Sequence, residues 1–150
     1  EMQAVIGRIQ LGRMPAWTAA RQAHAAQLKP ALQPFAGAQG CIRLPQLDET
    51  DRSRHAQYKF YAYVRHERLQ AGWSRDRIVA EINALGVPCF QGSCSEVYLE
   101  KAFDGTGYAP TARLPTAREL GETSLMFLVH PTITAGQMLG QAALAMTPPC

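Results

Sequence analysis

From Gln57 to Arg65 the side chains alternate, with Tyr58, Phe60, Ala62 and Val64 on one side and Lys59, Tyr61, Tyr63 and Arg65 on the other. A period of two is that of an extended strand with one side packed inward. Such a strand cannot stand alone. Its backbone N–H and C=O groups need neighbouring strands, and its apolar side needs a covering layer.

Partners for it are spaced along the chain. Cys41 to Leu44 reads as a short strand stopped at Pro45, Val87 to Phe90 as a brief one, and Ser124 to Val129 as an apolar run short enough for a buried strand. Helical patterns lie between them. Met2, Val5, Ile6 and Ile9 share a stripe of a first helix running to about Leu11. Pro15 suits the first turn of a second helix, along which Trp17, Ala20, His24 and Leu28 continue one face, with Pro30 and Pro34 kinking and then ending it. Ser74 can cap a helix that buries Ile78, Ile82 and Leu85 and stops at Gly86.

Glu96 to Phe103 predicts a short helical turn and Thr116 to Gly121 a polar helix. Thr134 and Gln137 have capping-box spacing and open a last helix with Met138, Leu139, Ala142 and Met146 inward. The turn Gly37 to Gly40, the polar stretch Asp48 to Arg54 and the glycine-rich Asp104 to Gly107 connect them. The fold class is therefore α+β: an antiparallel sheet of about four strands covered on one face by helices.

Composition narrows the function. The chain has 150 residues, enough for one core, and a net charge of +3 without a basic stripe, which argues against nucleic acid as a partner. No apolar run is long enough to span a bilayer and no secretory leader is recognisable, so a cytoplasmic location without membrane contact is expected. Four cysteines without Cys-x-x-Cys spacing predict free thiols and no zinc site.

Chemistry-bearing motifs are few. There is no glycine-rich phosphate loop. Cys94 or Cys89, with His130 and Glu96, could supply the thiol, base and orienting group of a cysteine hydrolase, but a chance trio is the simpler reading. Tyr58, Tyr61 and Tyr63 near Arg65 could stack on bases, although alternating strand aromatics ordinarily pack a sheet. The three lysines, Lys29, Lys59 and Lys101, lie in no context that suggests a cofactor-binding amine. No catalytic, cofactor-binding or metal residue is assigned.

Several segments in order resemble the C-terminal half of the DegT/StrS-type sugar aminotransferases. Glu1-Met2-Gln3-Ala4-Val5-Ile6-Gly7-Arg8-Ile9-Gln10-Leu11 is similar to that family's Glu-x-Gln-Ala-x-x-Gly-x-x-Gln-Leu helix. His55 to Tyr61 resembles its histidine-then-aromatic strand, Arg75-Asp76-Arg77-Ile78 its Arg-Asp helix start, and Leu85 to Pro88 its strand before a variable loop. Gly92 to Phe103 is similar to a loop in a subset of the family, and His130-Pro131-x-x-Thr134 matches its closing signature.

The resemblance implies the small domain of a fold-type I enzyme that uses pyridoxal phosphate. Such an enzyme moves an amino group, usually from glutamate, onto a nucleotide-linked keto sugar in polysaccharide or amino-sugar biosynthesis. Residues 1–35 would be linking helices against a preceding large domain and 36–150 the small domain, in a homodimer. The family's lysine and most cofactor ligands precede the matched region, so this part is not expected to bind pyridoxal phosphate or to catalyse alone. Gln91, Ser93, Ser95, Glu96 and Tyr98 are the candidate substrate-binding residues, on small residues that expose backbone N–H groups and on side chains able to bond a sugar. The alternative is a stand-alone sugar-nucleotide-binding or interaction module.

Overall fold

The computed structural model describes residues 1–46, 55–92, 94–134 and 136–138. Four strands form one antiparallel sheet: β1 (Ile42–Arg43), β2 (Phe60–Val64), β3 (Cys89–Phe90) and β4 (Ser124–Phe127), in the spatial order β1-β2-β4-β3. The expected α+β class and strand number are borne out. The register places Ile42 opposite Val64, Ala62 opposite Leu125, and Phe60 and Cys89 on either side of Phe127. All of these are buried on one face.

That face is covered by α1 (Met2–Leu32), which contributes Ala25, Leu28 and Leu32, and by α2 (Arg75–Ala84), which contributes Ile78. Val87, Val129 and Met138 complete the core. The opposite face carries the row Tyr61, Met126 and Phe90, and α3 (Pro115–Thr123) packs against β2. Met126 and Ser124 are buried as well, so β4 is enclosed on both faces. This is why its sequence is continuously apolar in character rather than alternating.

Helix ends follow local chemistry. The Ser74 hydroxyl accepts from the Arg77 N–H at 3.2 Å. Gly86, at φ +80, closes α2 with Val87 N donating to Ile82 O at 3.3 Å, a left-handed cap that a side chain would strain. The capping box at Thr134 is formed in both directions: Thr134 N donates to Gln137 Oε1 at 2.9 Å and Gln137 N to Thr134 Oγ1 at 3.3 Å. Met138 is fully buried, whereas Leu139, Ala142, Met146 and the polar stretch Asp48 to Arg54 lie outside the described residues.

Four local expectations fail for identifiable reasons. The two N-terminal helices are one helix of 31 residues with Pro15 and Pro30 inside it. Each proline removes the N–H that Leu11 or Ala26 would have received, and both of those residues are exposed, so water can satisfy their carbonyls. Tyr58 is 71% exposed instead of packed, because Gln57 at φ +50 breaks the extended run before β2 begins. Leu85 is exposed because the chain turns away at the end of α2. Cys41 is disulfide-bonded where free thiols were expected, while Cys89 and Cys94 are free.

The core is anchored on the second half of α1 alone, since residues 1–16 are all exposed. Leu28→Ala should therefore lower the unfolding free energy by about 2–5 kcal/mol in urea titrations. Leu11→Ala, on the uncovered half, should change it by about 0.5 kcal/mol or less.

Candidate functional site

The loop after β3 is shaped by a buried arginine. Arg75, at the first position of α2, is 8% exposed, and its Nη1 donates to Gly121 O at 2.9 Å, Ser124 O at 3.2 Å and Gln91 O at 3.5 Å. Its Nε donates to Asp76 Oδ1 at 2.7 Å. The guanidinium thus joins the start of α2, the α3–β4 junction and the exit from β3 by donating to a carbonyl of each of the last two.

Gln91 is held on both sides. Its side chain donates to Asp76 Oδ1 at 3.1 Å, and its carbonyl also accepts from the Ser124 hydroxyl. Gly92 follows at φ +91, where an added Cβ would lie 2.6 Å from Ser124 Oγ. The position requires glycine twice over, for its backbone conformation and for the close approach. Ser95 packs on Gly121, where a Cβ would meet its hydroxyl at 2.7 Å. Ser93 lies outside the described residues.

Glu96 is the centre of a second network. Both oxygens of its carboxylate accept from the guanidinium of Arg113, through Nε at 2.8 Å and through Nη2. Tyr98 Oη donates to Glu96 Oε1 at 2.7 Å and accepts from Leu114 N at 2.9 Å. Glu122 extends the set, 3.5 Å from Arg113 and bonded to Arg118 Nε at 2.8 Å. The hydrogen bonds from Arg113 and Tyr98 pull the Glu96 carboxyl from an ordinary value of 4.5 down to about 2. The same pairing raises Arg113, and the Arg118 bond lowers Glu122. Burial and the Glu96 carboxylate raise the Tyr98 phenol.

The thiol trio is not assembled. The Cys94 thiol donates to Glu100 Oε1 at 3.3 Å, and that bond raises its pKa, which disfavours the nucleophilic thiolate. Cys89 is pushed up to about 11 by burial. His130 Nδ1 pairs with Thr132 Oγ1 at 2.8 Å, and Glu96 is committed to Arg113. No group of metal-ligating side chains occurs among the described residues. No helix among them is long and apolar enough to cross a membrane.

Of the five candidate residues, Gln91, Ser95, Glu96 and Tyr98 fall along one loop, but three of them spend their polar atoms on Asp76, Arg113 and one another. Arg75 and Arg113 were not foreseen as site residues. Their bonds to Gln91, Gly121, Ser124 and Glu96 span 16 to 49 positions, beyond the reach of any local pattern.

The DegT/DnrJ/EryC1/StrS aminotransferase family model matches residues 1–139. The chain belongs to this family. An aminotransferase from Psychrobacter cryohalolentis is 55% identical, with a TM-score of 0.88 over 95% of this chain and 37% of that one. The fold is shared with DesV of S. venezuelae, solved with a ketimine intermediate, at 23% identity and TM-score 0.75 over 97% of this chain and 35% of that one. It is shared too with the aminotransferase TlmJ of Streptoalloteichus hindustanus, at 18% identity and TM-score 0.74, covering 94% and 34%. No curated protein matches. The chain thus spans little more than a third of the length of these aminotransferases.

The family is one of aminotransferases that use pyridoxal phosphate. The residues here do not fit the aldehyde of that cofactor. Lys29 and Lys101 are exposed and Lys59 is only half-buried, beside the ring of Tyr58, so no lysine is enclosed in a pocket.

Two outcomes follow from the loop. Gly92→Ala should cost more than about 1 kcal/mol of stability, read from urea or thermal unfolding, because it strains the backbone and strikes Ser124. The depressed Glu96 carboxyl stabilises the fold fully above pH 4.5, and this contribution falls away as the pH drops toward about 2. Glu96→Gln should lower the melting temperature at pH 7 and flatten its decline between those two values.

Proposed function

We propose that this chain is the C-terminal portion of a pyridoxal-phosphate-dependent aminotransferase that places an amino group, taken from glutamate, on a nucleotide-linked keto sugar in polysaccharide or amino-sugar biosynthesis. The reading is carried by the 55% identity to the Psychrobacter aminotransferase across nearly the whole chain. Residues 1–35 serve as the linking element against a preceding large domain, and 36–150 form the small domain. The enzyme works as a cytoplasmic homodimer.

In this reading the cofactor and its lysine belong to the large domain, in keeping with the absence of an enclosed lysine here. The small domain supplies one wall of the cleft, where domain boundaries commonly form pockets. Gln91, Ser95, Glu96 and Tyr98 line that wall, and Ser93, outside the described residues, is the fifth candidate for substrate contact. Arg75 and Arg113 fix the shape of the loop so that its backbone N–H groups and hydroxyls meet the sugar in a set geometry.

The test compares the isolated 150 residues with the chain extended upstream to full length. The extended protein should bind pyridoxal phosphate and transfer nitrogen from glutamate to a nucleotide-linked keto sugar. The isolated chain should show neither turnover nor a saturable, borohydride-reducible adduct at Lys29, Lys59 or Lys101. Turnover by the isolated chain, or stoichiometric labelling of one of those lysines, would overturn the proposal.

A further inference from the structure

A sheet that ends on an open strand leaves a row of backbone N–H and C=O groups to which another chain can add. Among the described residues β3 is such a strand, the last in the order β1-β2-β4-β3. Its surroundings favour addition. Phe90 is 45% exposed, and Val87 and Phe90 are residue types that fit a pleated surface.

In an antiparallel pair alternate residues turn both backbone groups toward the neighbouring strand, and the residues between turn theirs away. Cys89 lies opposite Phe127 and Phe90 opposite Met126. The groups of Cys89 point away from β4, and both end on one side chain of α2. Asn83 Nδ2 donates to Cys89 O at 2.7 Å, and Cys89 N donates to Asn83 Oδ1 at 3.3 Å. The carboxamide takes the place of one peptide group of a further strand. Nδ2 also donates to Val79 O at 2.8 Å, one turn back in the same helix. These bonds fix which way the amide points, since the reverse orientation would set its oxygen against two carbonyls and its NH2 against an N–H.

The edge is closed on either side of Cys89 as well. Pro88 has no N–H to offer, Val87 N donates to Ile82 O at 3.3 Å, and Gln91 O accepts from Arg75 and Ser124. Cys89 is thus the position in this stretch where an added strand would gain both a donor and an acceptor, and Asn83 occupies it.

We propose that Asn83 plugs the β3 edge and so keeps a second copy of this chain from adding its own strand there. The chain excluded is a copy because each copy carries the same segment, with the same exposed phenylalanine and, once its Asn83 contact is lost, the same two free groups. Two such segments can pair antiparallel about a twofold axis, which makes the contact self-complementary. Asparagine suits the position: alanine has no polar group, serine is too short to bridge both groups, and aspartate would turn a charge toward two carbonyls.

The experiment follows the mass of the full-length protein by light scattering over concentrations on the order of micromolar to millimolar, with hydrogen exchange of the Cys89 amide as the local reading. The parent should keep one mass and a protected amide throughout. Asn83→Ala should exchange that amide at least about tenfold faster when dilute. As its concentration rises it should grow to multiples of the parent's mass and protect the amide again. Adding Phe90→Lys should restore the parent's mass, because like charges would then meet across the twofold axis. Ser74→Ala, which removes the cap at the other end of α2, should keep the parent's mass and controls for a loosened helix.

A constant mass in Asn83→Ala sinks the proposal. Association that Ser74→Ala shares, or that Phe90→Lys leaves intact, sinks it equally. Should Asn83→Ala fail to fold, Asn83→Ser decides by the same readings. None of them depends on which substrate the enzyme aminates, so this inference stands or falls apart from the proposed activity.

Discussion

A single buried cation holds together three parts of this domain that are far apart in sequence. Arg75 would be costly to enclose without partners, since a charge taken out of water needs compensating dipoles or an opposite charge. It finds Asp76 at the rim and the carbonyls of Gln91, Gly121 and Ser124 within. Those carbonyls sit where a strand ends, where α3 ends and where β4 begins. Removing the guanidinium would take a donor from three chain segments at once, so the geometry of the loop beyond β3 depends on the N-terminus of α2, which Gln91 also reaches through Asp76.

The same dependence decides how the loop can act. With its root fixed by Arg75 and its far side fixed by the fork between Glu96 and Arg113, the loop presents a preset surface. A preset surface avoids ordering cost when a ligand arrives, which favours specificity for shape over adaptability. It also means that Glu96 and Tyr98, singled out for their chemistry, spend that chemistry inside the protein.

What could be read in the sequence is what depends on neighbours in the chain. The alternation through Phe60, Ala62 and Val64, the Ser74 cap, the Gly86 stop and the box at Thr134 and Gln137 are all set within a few residues, and each appears as expected. Failures came where a local preference met a condition that the sequence does not display. Pro15 does not break α1, because the carbonyl it leaves unpaired belongs to exposed Leu11. Tyr58 leaves the alternation because one residue takes a left-handed turn. The candidate loop was located correctly as a loop, but its internal bonding was invisible, since Arg75 and Arg113 act across long stretches of chain.

The first half of α1 carries this last point furthest. Residues 1–16 are exposed throughout, including Met2, Val5, Ile6, Ile9, Leu11 and Met14, so the domain gives that helix no packing. Nor does propensity sustain it: Gly7 and Gly12 each cost about 1 kcal/mol relative to alanine in a helix interior, and Pro15 about 3. Short helices without tertiary contacts are marginal in water even when their sequences are favourable. The described residues give this half of the helix no apolar cover, and in the proposed reading the large domain, against which residues 1–35 would lie, is the surface that supplies it. Under that proposal the stability of this segment and the docking of the two domains are coupled, since a contact that covers Ile6 and Ile9 acts on the same helix that enters the core through Leu28.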